Sequence, residues 1–497
     1  MTTLAELVRG LGPTELTASA AKTPVSDVCF DSRAVVPGSL FIAIQGHSAD
    51  GHAHAAAAVA AGAVAVVAER PVDVDAPVVL VESSREALAT IAGRFHNHPS
   101  QEVRVVGITG TNGKTTTSFL LRHILRTLGE RPSMLGTVTN EIAGVEQVST
   151  QTTPDPLTFQ RSLAETRRAG ARTLVAEVSS HALDQARVAG VRFQVGVFTN
   201  LSQDHLDYHG SLENYMAAKQ RLFEMLPEDG IAVLNGADPV SIRYARSTRA
   251  EVVRFGFKRR DELCAEVARQ SLEGSELCLW RHDRPHRLML PLIGRHNIEN
   301  ALAALLAAEG LGYSIAEAAQ ALASTPGVPG RLERVSAPGE AAVLVDYAHT
   351  PDALDRVLAT LRPLTRGRLH VVFGCGGDRD RGKRPQMGAA VARWADSIVL
   401  TSDNPRSEDP SAIADDVKPG FGRHRYSVVL DRREAIAAAI ARARPKDLVL
   451  IAGKGHESGQ SAGGIVRPFD DRVVARELLG GRAAASRSGA RSRSQAA

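Results

Sequence analysis

The stretch Gly107-Ile-Thr-Gly-Thr-Asn-Gly-Lys-Thr-Thr-Thr117 decides the fold. A β-branched run, Val103-Arg-Val-Val106, leads into it, and an apolar-periodic run from Ser118 to Leu128 leads out. Strand, glycine-rich turn and helix in that order form the frame of a phosphate-binding loop. Glycine lets backbone N–H groups approach phosphate oxygens, and the helix N-terminus adds partial positive charge. Gly110, Thr111, Asn112, Gly113, Lys114, Thr115 and Thr116 are therefore the candidate contacts to a nucleoside triphosphate. Lys114 would reach the β/γ-phosphates and the Thr115 hydroxyl would sit on Mg²⁺. The general G-x₄-G-K-[ST] spacing asks for glycine at 108, where this chain has Ile108; its glycines fall at 107, 110 and 113. The loop alone implies a triphosphate; the use made of it must be read elsewhere.

Outward from the loop, strands are expected at 103–108, 172–178, 193–199 and 231–234, with helices at 115–128, 156–168 and 212–225. Alternation of this kind predicts an α/β fold with a mostly parallel sheet covered on both faces. Short alternating strands from Val252 to Leu292 suggest a β-rich insertion, followed by a helix over 297–309. The turn-rich join Pro326-Gly-Val-Pro-Gly330 marks a boundary, beyond which strands 342–346, 369–373, 397–401, 427–430 and 447–452 alternate with helices again. This third region reads as Rossmann-like, although Gly374-Cys-Gly-Gly377 lacks the dinucleotide fingerprint. Before the loop, Val28–Arg33 and Gly38–Ile44 read as strands, and His96–Ser100 has the composition of a linker. Three domains are expected, over 1–100, 101–328 and 329–480, with a disordered basic tail at 481–497.

Hydrophobic residues make up 43% of the 497 and charged residues 23%, the balance of a globular chain. The formal charge is +4, and the tail holds four arginines (482, 487, 491 and 493) and no acid, so the body is neutral. No nucleic-acid partner is implied. Four cysteines without C-x-x-C spacing, no signal segment and no long apolar run point to a reduced, cytoplasmic protein that does not engage a membrane.

Two clusters carry chemistry beyond the loop. Ala176-Glu177-Val-Ser-Ser-His181 and Phe198-Thr-Asn-Leu-Ser-Gln-Asp-His205 end two strands at the edge where the loop opens. Glu177 and His205 are placed there as oxygen and nitrogen ligands for Mg²⁺. Asp403-Asn-Pro-Arg406 follows another strand; an arginine fork suits a carboxylate, and Arg379 and Glu457 stand at neighbouring strand ends. Two cationic forks with an acid would hold an amino acid carrying an ammonium and a carboxylate at its far end. Lys219, on the helix Asn214–Phe223, is by itself one cation on an amphipathic face.

Together, Gly107–Thr115, Glu177–His181, Thr199-Asn…Asp204-His-Leu-Asp207 and the Lys219 helix occur in the order of the Mur ligase family. So do Gly294-Arg-His-Asn-Ile-Glu-Asn300, Pro329-Gly-Arg331 and Asp346-Tyr-Ala-His-Thr-Pro351. The chain resembles these ATP-dependent amide-forming enzymes of peptidoglycan precursor synthesis from Asp31 to Glu457, and its loop spacing matches theirs. The resemblance implies three domains: a small N-terminal α/β UDP-binding domain, a central P-loop ATPase domain and a C-terminal Rossmann-like domain that binds the amino acid.

The resemblance also implies roles. Lys219 would be carbamylated by CO₂ and join Thr115, Glu177 and His205 around Mg²⁺, with Lys114, Lys219, Glu177 and His205 as the catalytic set. His296, Asn297 and Asn300 would lie on the adenine side, while Arg331 and Asp346 complete the ATP site on domain closure. Phe30, Ser32, His47, Ser48 and Ala49 would meet the nucleotide-sugar of a UDP-N-acetylmuramoyl-dipeptide. Gln151, Thr152, Thr153, Ser179, Gln185 and Arg187 would meet its peptide. Arg379, Asp403, Asn404, Pro405, Arg406, Gly453 and Glu457 would hold diaminopimelate, in a monomeric enzyme. A lysine-adding member, a folylpolyglutamate-type ligase and a catalytically silent scaffold are the alternatives.

Overall fold

The computed structural model describes residues 2–12, 14–46, 49–147, 149, 151–337 and 339–480. The expectations for His47, Ser48 and the tail 481–497 lie outside the described residues. The chain forms two compact units: one of residues up to 265 with 279–286 and 299–322, the other of 266–278, 287–298 and the described residues from 323 onward.

In the first unit, β1 (Asp27–Cys29), β2 (Ser39–Ile42), β3 (Ala65–Ala68) and β4 (Val78–Leu80) pair in parallel in chain order. Alternate residues feed two cores. Leu40, Ile42 and Val67 pack with Leu88 and Ile91 of α1 (Ser84–Phe95), and Phe41, Val66 and Ala68 pack with Ala55 and Ala58. Burial on both faces is why these strands are nearly all apolar. The strand expected over 28–33 stops at Cys29. The Asp31 carboxylate accepts the Arg33 N–H (3.0 Å) and starts a 3₁₀ turn at Ser32–Ala34. The segment expected to be a linker is instead packed: Pro99 and Ser100 are buried, and Ser100 Oγ accepts the Arg192 N–H at 3.1 Å.

The central sheet is built on β5 (Arg104–Thr109), which leads to α2 (Lys114–Thr127). It continues with β6 (Ser133–Leu135), α3 (Pro156–Arg168), β7 (Thr173–Glu177), β8 (Phe193–Phe198), α4 (Leu212–Glu224), β9 (Ile231–Asn235) and β10 (Glu251–Gly256). The parallel order is β6-β7-β5-β8-β9-β10, and the strands Asn140–Ile142 and Val145–Gln147 add an antiparallel edge. Glu177 pairs with Ile108, and Phe198 with Thr109, so the ends of β7 and β8 stand level with the start of the glycine loop. The expected β-rich stretch appears as strands Leu263–Ser271, Gly274–Arg281 and Arg284–Leu290.

The second unit carries β11 (Ala342–Asp346), α5 (Pro351–Leu364), β12 (Leu369–Phe373), α6 (Lys383–Trp394), β13 (Ser397–Leu400), β14 (Tyr426–Val428), α7 (Arg432–Arg442) and β15 (Leu448–Ala452). Its parallel strands run β11-β15-β12-β13-β14, edged by the antiparallel pair Glu333–Arg334. Odd and even positions again part: Leu344, Val371 and Leu450 face α5 and α6, while Val343, Val372 and Val449 face α7. The carboxyl ends deliver Tyr347, Gly374, Thr401 and Gly453 to one edge. Among the described residues, no helix is long and apolar enough to cross a membrane.

Candidate functional site

The glycine loop is held from below by the chain leaving β8. Thr199 Oγ1 donates to the Asn112 carbonyl (2.6 Å), Asn200 Oδ1 accepts the Asn112 N–H (3.1 Å), and the Asn200 carbonyl accepts the Thr111 N–H (2.8 Å). This contact leaves no room for a side chain at Gly110, whose Cβ would lie 1.9 Å from Thr199 Oγ1. At Gly113 a Cβ would meet Asn300 Oδ1 at 2.3 Å, and both glycines take positive φ. Asn300, expected near the adenine, thus packs against the start of α2. Gly107 is no loop glycine: it lies inside β5, where a Cβ would come 2.8 Å from the Phe193 ring.

Lys114 Nζ donates to the carbonyls of Gly110 (2.8 Å) and Thr111 (3.0 Å). Thr115 Oγ1 donates to Glu177 Oε2 at 2.9 Å, joining two residues 62 apart in sequence. Glu177 is 1% exposed and is held further by the Thr137 N–H (3.0 Å) and hydroxyl (3.1 Å). Thr137 carries no signal in the sequence, because nothing in its local spacing records the partner. Thr116 is buried in the first turn of α2.

Lys219 is 1% exposed, yet its Nζ donates to the Gly110 carbonyl (3.1 Å) and lies 4.4 Å over the Tyr215 ring. Burial, then the neighbouring Lys114 charge, push its ammonium well below the ordinary lysine range. His205 begins the short helix Leu206–His209 with φ +53°, its ring 4.8 Å from that of His181 and 6.2 Å from Tyr215. Burial first, then His205 and His209, lower His181 to about 4. Of the expected ligands, the Thr115 hydroxyl and the Glu177 carboxylate meet directly; with an imidazole such as that of His205 they are donor types that suit Mg²⁺, which takes few protein ligands and completes its shell with phosphate oxygens and water. Among the described residues, no group of three or more His, Cys, Asp or Glu is arranged to hold a metal.

Gln151, Thr153, Gln185 and Arg187, expected to meet the peptide, lie together. The Arg187 guanidinium donates to Gln185 Oε1 (2.8 Å), Gln151 Oε1 (2.5 Å) and the Thr153 carbonyl (2.9 Å). Thr152 pairs with Thr137 (3.0 Å), and Ser179 caps the helix Ser180–Asp184. Phe30, 37% exposed, lines a cavity of about 340 Å³ with Asp31, Phe95, His96, Asp155 and Arg161. Ser32 sits in the adjoining 3₁₀ turn, and the Ala49 carbonyl accepts the Gly46 N–H (2.8 Å).

In the second unit, Arg331 lies 4.4 Å over the Tyr347 ring, which also meets His456 at 5.1 Å. Gly330 lets this turn touch the loop after β15; a Cβ there would sit 2.2 Å from the His456 nitrogen. Both oxygens of Asp346 accept backbone N–H groups, from Leu332 (2.7 Å) and Ala348 (2.8 Å). Its carboxylate therefore fixes the Arg331 turn. His296 lies beside Gly294, and burial lowers it to about 4. Asn297 Nδ2 donates to the Ile293 carbonyl (2.9 Å).

The loop Asp403–Arg406 is knitted to Gly453–Glu457. Asn404 donates to Glu457 Oε2 (2.8 Å), and Lys454, fully buried, donates to both Asn404 Oδ1 (3.1 Å) and Glu457 Oε2 (2.8 Å). Pro405 lies over Gly377, where a Cβ would meet its carbonyl at 1.9 Å. Arg406 takes φ +53°, and its NH1 donates to the Gly377 carbonyl (2.6 Å). One arm of its fork is thus engaged. A Cβ on Gly376 would lie 3.0 Å from Arg406 NH1 and 3.7 Å from Arg379 Cγ, so both arginines flank that glycine. Asp403 is buried beneath Gly453, where a Cβ would meet Oδ2 at 2.4 Å. It supports the loop from inside.

Two anchors escaped sequence reading. Arg432, paired with Asp471 at 2.7 Å with both side chains fully buried, donates to the Ser402 (3.2 Å) and Ala452 (2.9 Å) carbonyls and so ties both loops. Arg384 grips Glu408 (2.7 Å), Asp416 (2.8 Å) and the Gly376 carbonyl (3.3 Å), and holds Glu408 at about 2.

A glycine loop opening a helix beside a threonine–carboxylate pair is the apparatus of an α/β protein that binds and splits a nucleoside triphosphate. Three family profiles match in succession: the Mur ligase family catalytic domain over 24–96, the Mur ligase middle domain over 108–308 and the Mur ligase glutamate ligase domain over 330–455. The chain belongs to the Mur ligase family, and its three-domain α/β architecture is that family's. It is 44% identical over 486 residues (96% of this chain, 99% of the relative) to the UDP-N-acetylmuramoyl-L-alanyl-D-glutamate–2,6-diaminopimelate ligase of Syntrophomonas wolfei. The enzyme of that name from Geobacillus thermodenitrificans is 45% identical over 462 residues, 90% of this chain and 94% of the relative. A solved structure of a ligase with that name aligns at a TM-score of 0.72 with 34% identity, covering 97% of this chain and 99% of the other. The ADP complex of Thermotoga maritima MurF ligase shares the fold, with a TM-score of 0.61 and 22% identity over 92% of this chain and 96% of the other.

Proposed function

We propose that this chain is an ATP-dependent ligase that joins 2,6-diaminopimelate to UDP-N-acetylmuramoyl-L-alanyl-D-glutamate in peptidoglycan precursor synthesis, in the cytoplasm. Family membership and near full-length similarity to ligases of that name support the activity. The observation that carries the choice of amino acid is the Asp403–Arg406 loop fastened to Glu457. Arg406 and Arg379 offer guanidinium to a distal carboxylate, while Glu457 offers a carboxylate to the neighbouring ammonium. L-Lysine lacks the group the arginines read.

The side-chain carboxylate of the D-glutamyl residue attacks the γ-phosphorus of ATP; the bond to the ADP oxygen breaks and an acyl phosphate forms. The amine of diaminopimelate adds to the acyl carbon, phosphate leaves, and the nitrogen sheds a proton to give the amide. Lys114 and the amide nitrogens of Gly110–Thr116 spread the charge of the transferring phosphoryl group. Arg331, Asp346, His296, Asn297 and Asn300 belong to ATP binding, Asp346 by fixing the Arg331 turn. Thr115, Glu177, His205 and a carbamate on Lys219 would hold Mg²⁺, which would supply positive charge to the phosphate oxygens. Lys219 suits carbamylation because a buried amine favours its neutral form, and only a neutral amine adds to CO₂.

Residues 1–100 bind the UDP-sugar through Phe30, Ser32 and Ala49, 101–328 bind ATP and the peptide through Gln151–Thr153, Ser179, Gln185 and Arg187, and 329–480 bind the amino acid. The enzyme acts as a monomer. Phosphate release at fixed ATP and UDP-dipeptide, measured with meso-diaminopimelate, LL-diaminopimelate and L-lysine, tests this reading. Turnover with a diaminopimelate isomer and roughly 100-fold less with lysine is expected, since lysine has no distal carboxylate to form the charge-assisted hydrogen bonds that the Arg406 and Arg379 forks offer. Equal rates with lysine would overturn the choice of amino acid.

A further inference from the structure

We propose that the cavity at the amino ends of β12, β13, β14 and β15 binds a small diphosphate-bearing anion, as a site apart from the reacting groups. The cavity measures about 620 Å³ and is rimmed by Arg368, Arg425, Arg442 and Arg444. All four arginines are exposed, and none of their guanidinium groups has an acidic partner among the described residues.

The acids in the lining are already committed. Asp447 accepts N–H groups from Arg368 (2.8 Å) and Arg444 (2.9 Å) and pairs with His370 Nε2 (3.2 Å). Asp396 accepts from Arg362 (2.6 Å) and from the Leu369 N–H (2.8 Å). With four arginines against two aspartates in its lining, the opening keeps a net positive charge. His370 lies at its floor, buried, with Nδ1 lacking a partner among the described residues.

The volume lies within the range of small-ligand sites, which favours a compact anion over a polymer. Guanidinium forks select phosphate groups, and several unpaired forks around one cavity favour more than one phosphate. Tyr426, 40% exposed and resting on Phe421 at 4.6 Å, adds an aromatic ring suited to a base. ADP and UDP both carry this chemistry. The strands β12 and β15, of five residues each, run from this cavity to the opposite edge, where Gly374 and Gly453 begin their loops. At about 3.3 Å per residue the two ends are roughly 16 Å apart, so a ligand here cannot touch the Arg406 pocket.

Calorimetric titration of the full chain with inorganic pyrophosphate tests the site, in a Lys114→Ala background that disables the phosphate loop. Binding should persist in that background and weaken ~10-fold or more on adding Arg425→Gln and Arg444→Gln. Affinity that is unchanged by the arginine substitutions, or no binding in Lys114→Ala, overturns the proposal. Phenylglyoxal labelling of the wild-type chain, read by mass spectrometry, gives the answer without variants. Pyrophosphate should protect Arg425 and Arg444, and labelling as fast as without it overturns the site. ADP and UDP titrated in the same background assign the base by whichever binds more tightly.

Discussion

Lys219 is the residue at which stability and function pull apart. Its amine is buried, meets only a carbonyl and an aromatic face, and has no carboxylate within hydrogen-bonding distance among the described residues. The native state disfavours its ammonium, whereas the unfolded chain protonates it freely below about 10.4. Between neutral pH and that value the unfolded state binds more protons, so this residue costs stability at pH 7, and the cost shrinks as pH rises. Lys219→Met should therefore melt at or above the wild-type temperature at pH 7, with a smaller gain in melting temperature from pH 7 to 9. The same variant should have almost no ligase activity. Lys219→Ala, which leaves space for a small carboxylate, should recover part of it when short-chain carboxylic acids are added. Scanning calorimetry and phosphate release at several pH values check both halves. A variant that is less stable yet fully active would sink the carbamate assignment.

At the scale of elements, the loops after β13 and β15 act as one body because Lys454 bridges them. Lys454→Met keeps the length of the side chain but frees Glu457 and Asn404. The KM for diaminopimelate should rise about 10-fold, the equivalent of one charge-assisted hydrogen bond, while the KM for ATP stays within about twofold. Steady-state kinetics with each substrate varied in turn decide it; equal rises in both constants would mean that the loop serves the nucleotide instead. Lys454 also marks the limit of what sequence discloses. The phosphate loop, Glu177 at the end of β7 and the alternation of strand and helix were legible because their signals are local. Arg432, Arg384, Thr137 and Lys454 were not, because each is defined by partners reached only through folding: Thr137 meets Glu177 from 40 residues away, and Arg432 meets Asp471 from 39. Local reading erred where side chains overrode propensity. Asp31 ended the strand expected over 28–33 early, and Gly107, quoted with the loop, makes room for Phe193 inside a strand.

At the scale of the whole molecule, the first unit carries the phosphate loop and the residues proposed for the dipeptide, and the second carries those proposed for the amino acid. The proposed acyl phosphate would unite their work, and it would leave an atomic record. If the D-glutamyl carboxylate attacks the γ-phosphorus of ATP, one of its oxygens bridges carbon and phosphorus and departs with phosphate when the amine adds. UDP-dipeptide labelled with oxygen-18 in that carboxylate should therefore transfer one labelled oxygen to the released phosphate, with the other kept in the amide. ADP, phosphate and amide should appear in equal amounts, because an acyl phosphate shielded from water has no other fate. Phosphate isolated after turnover and analysed by mass spectrometry or phosphorus NMR reads the transfer directly. Unlabelled phosphate would mean that water, not the carboxylate, takes the phosphoryl group, and would remove the acyl phosphate from the mechanism while leaving the nucleotide site intact.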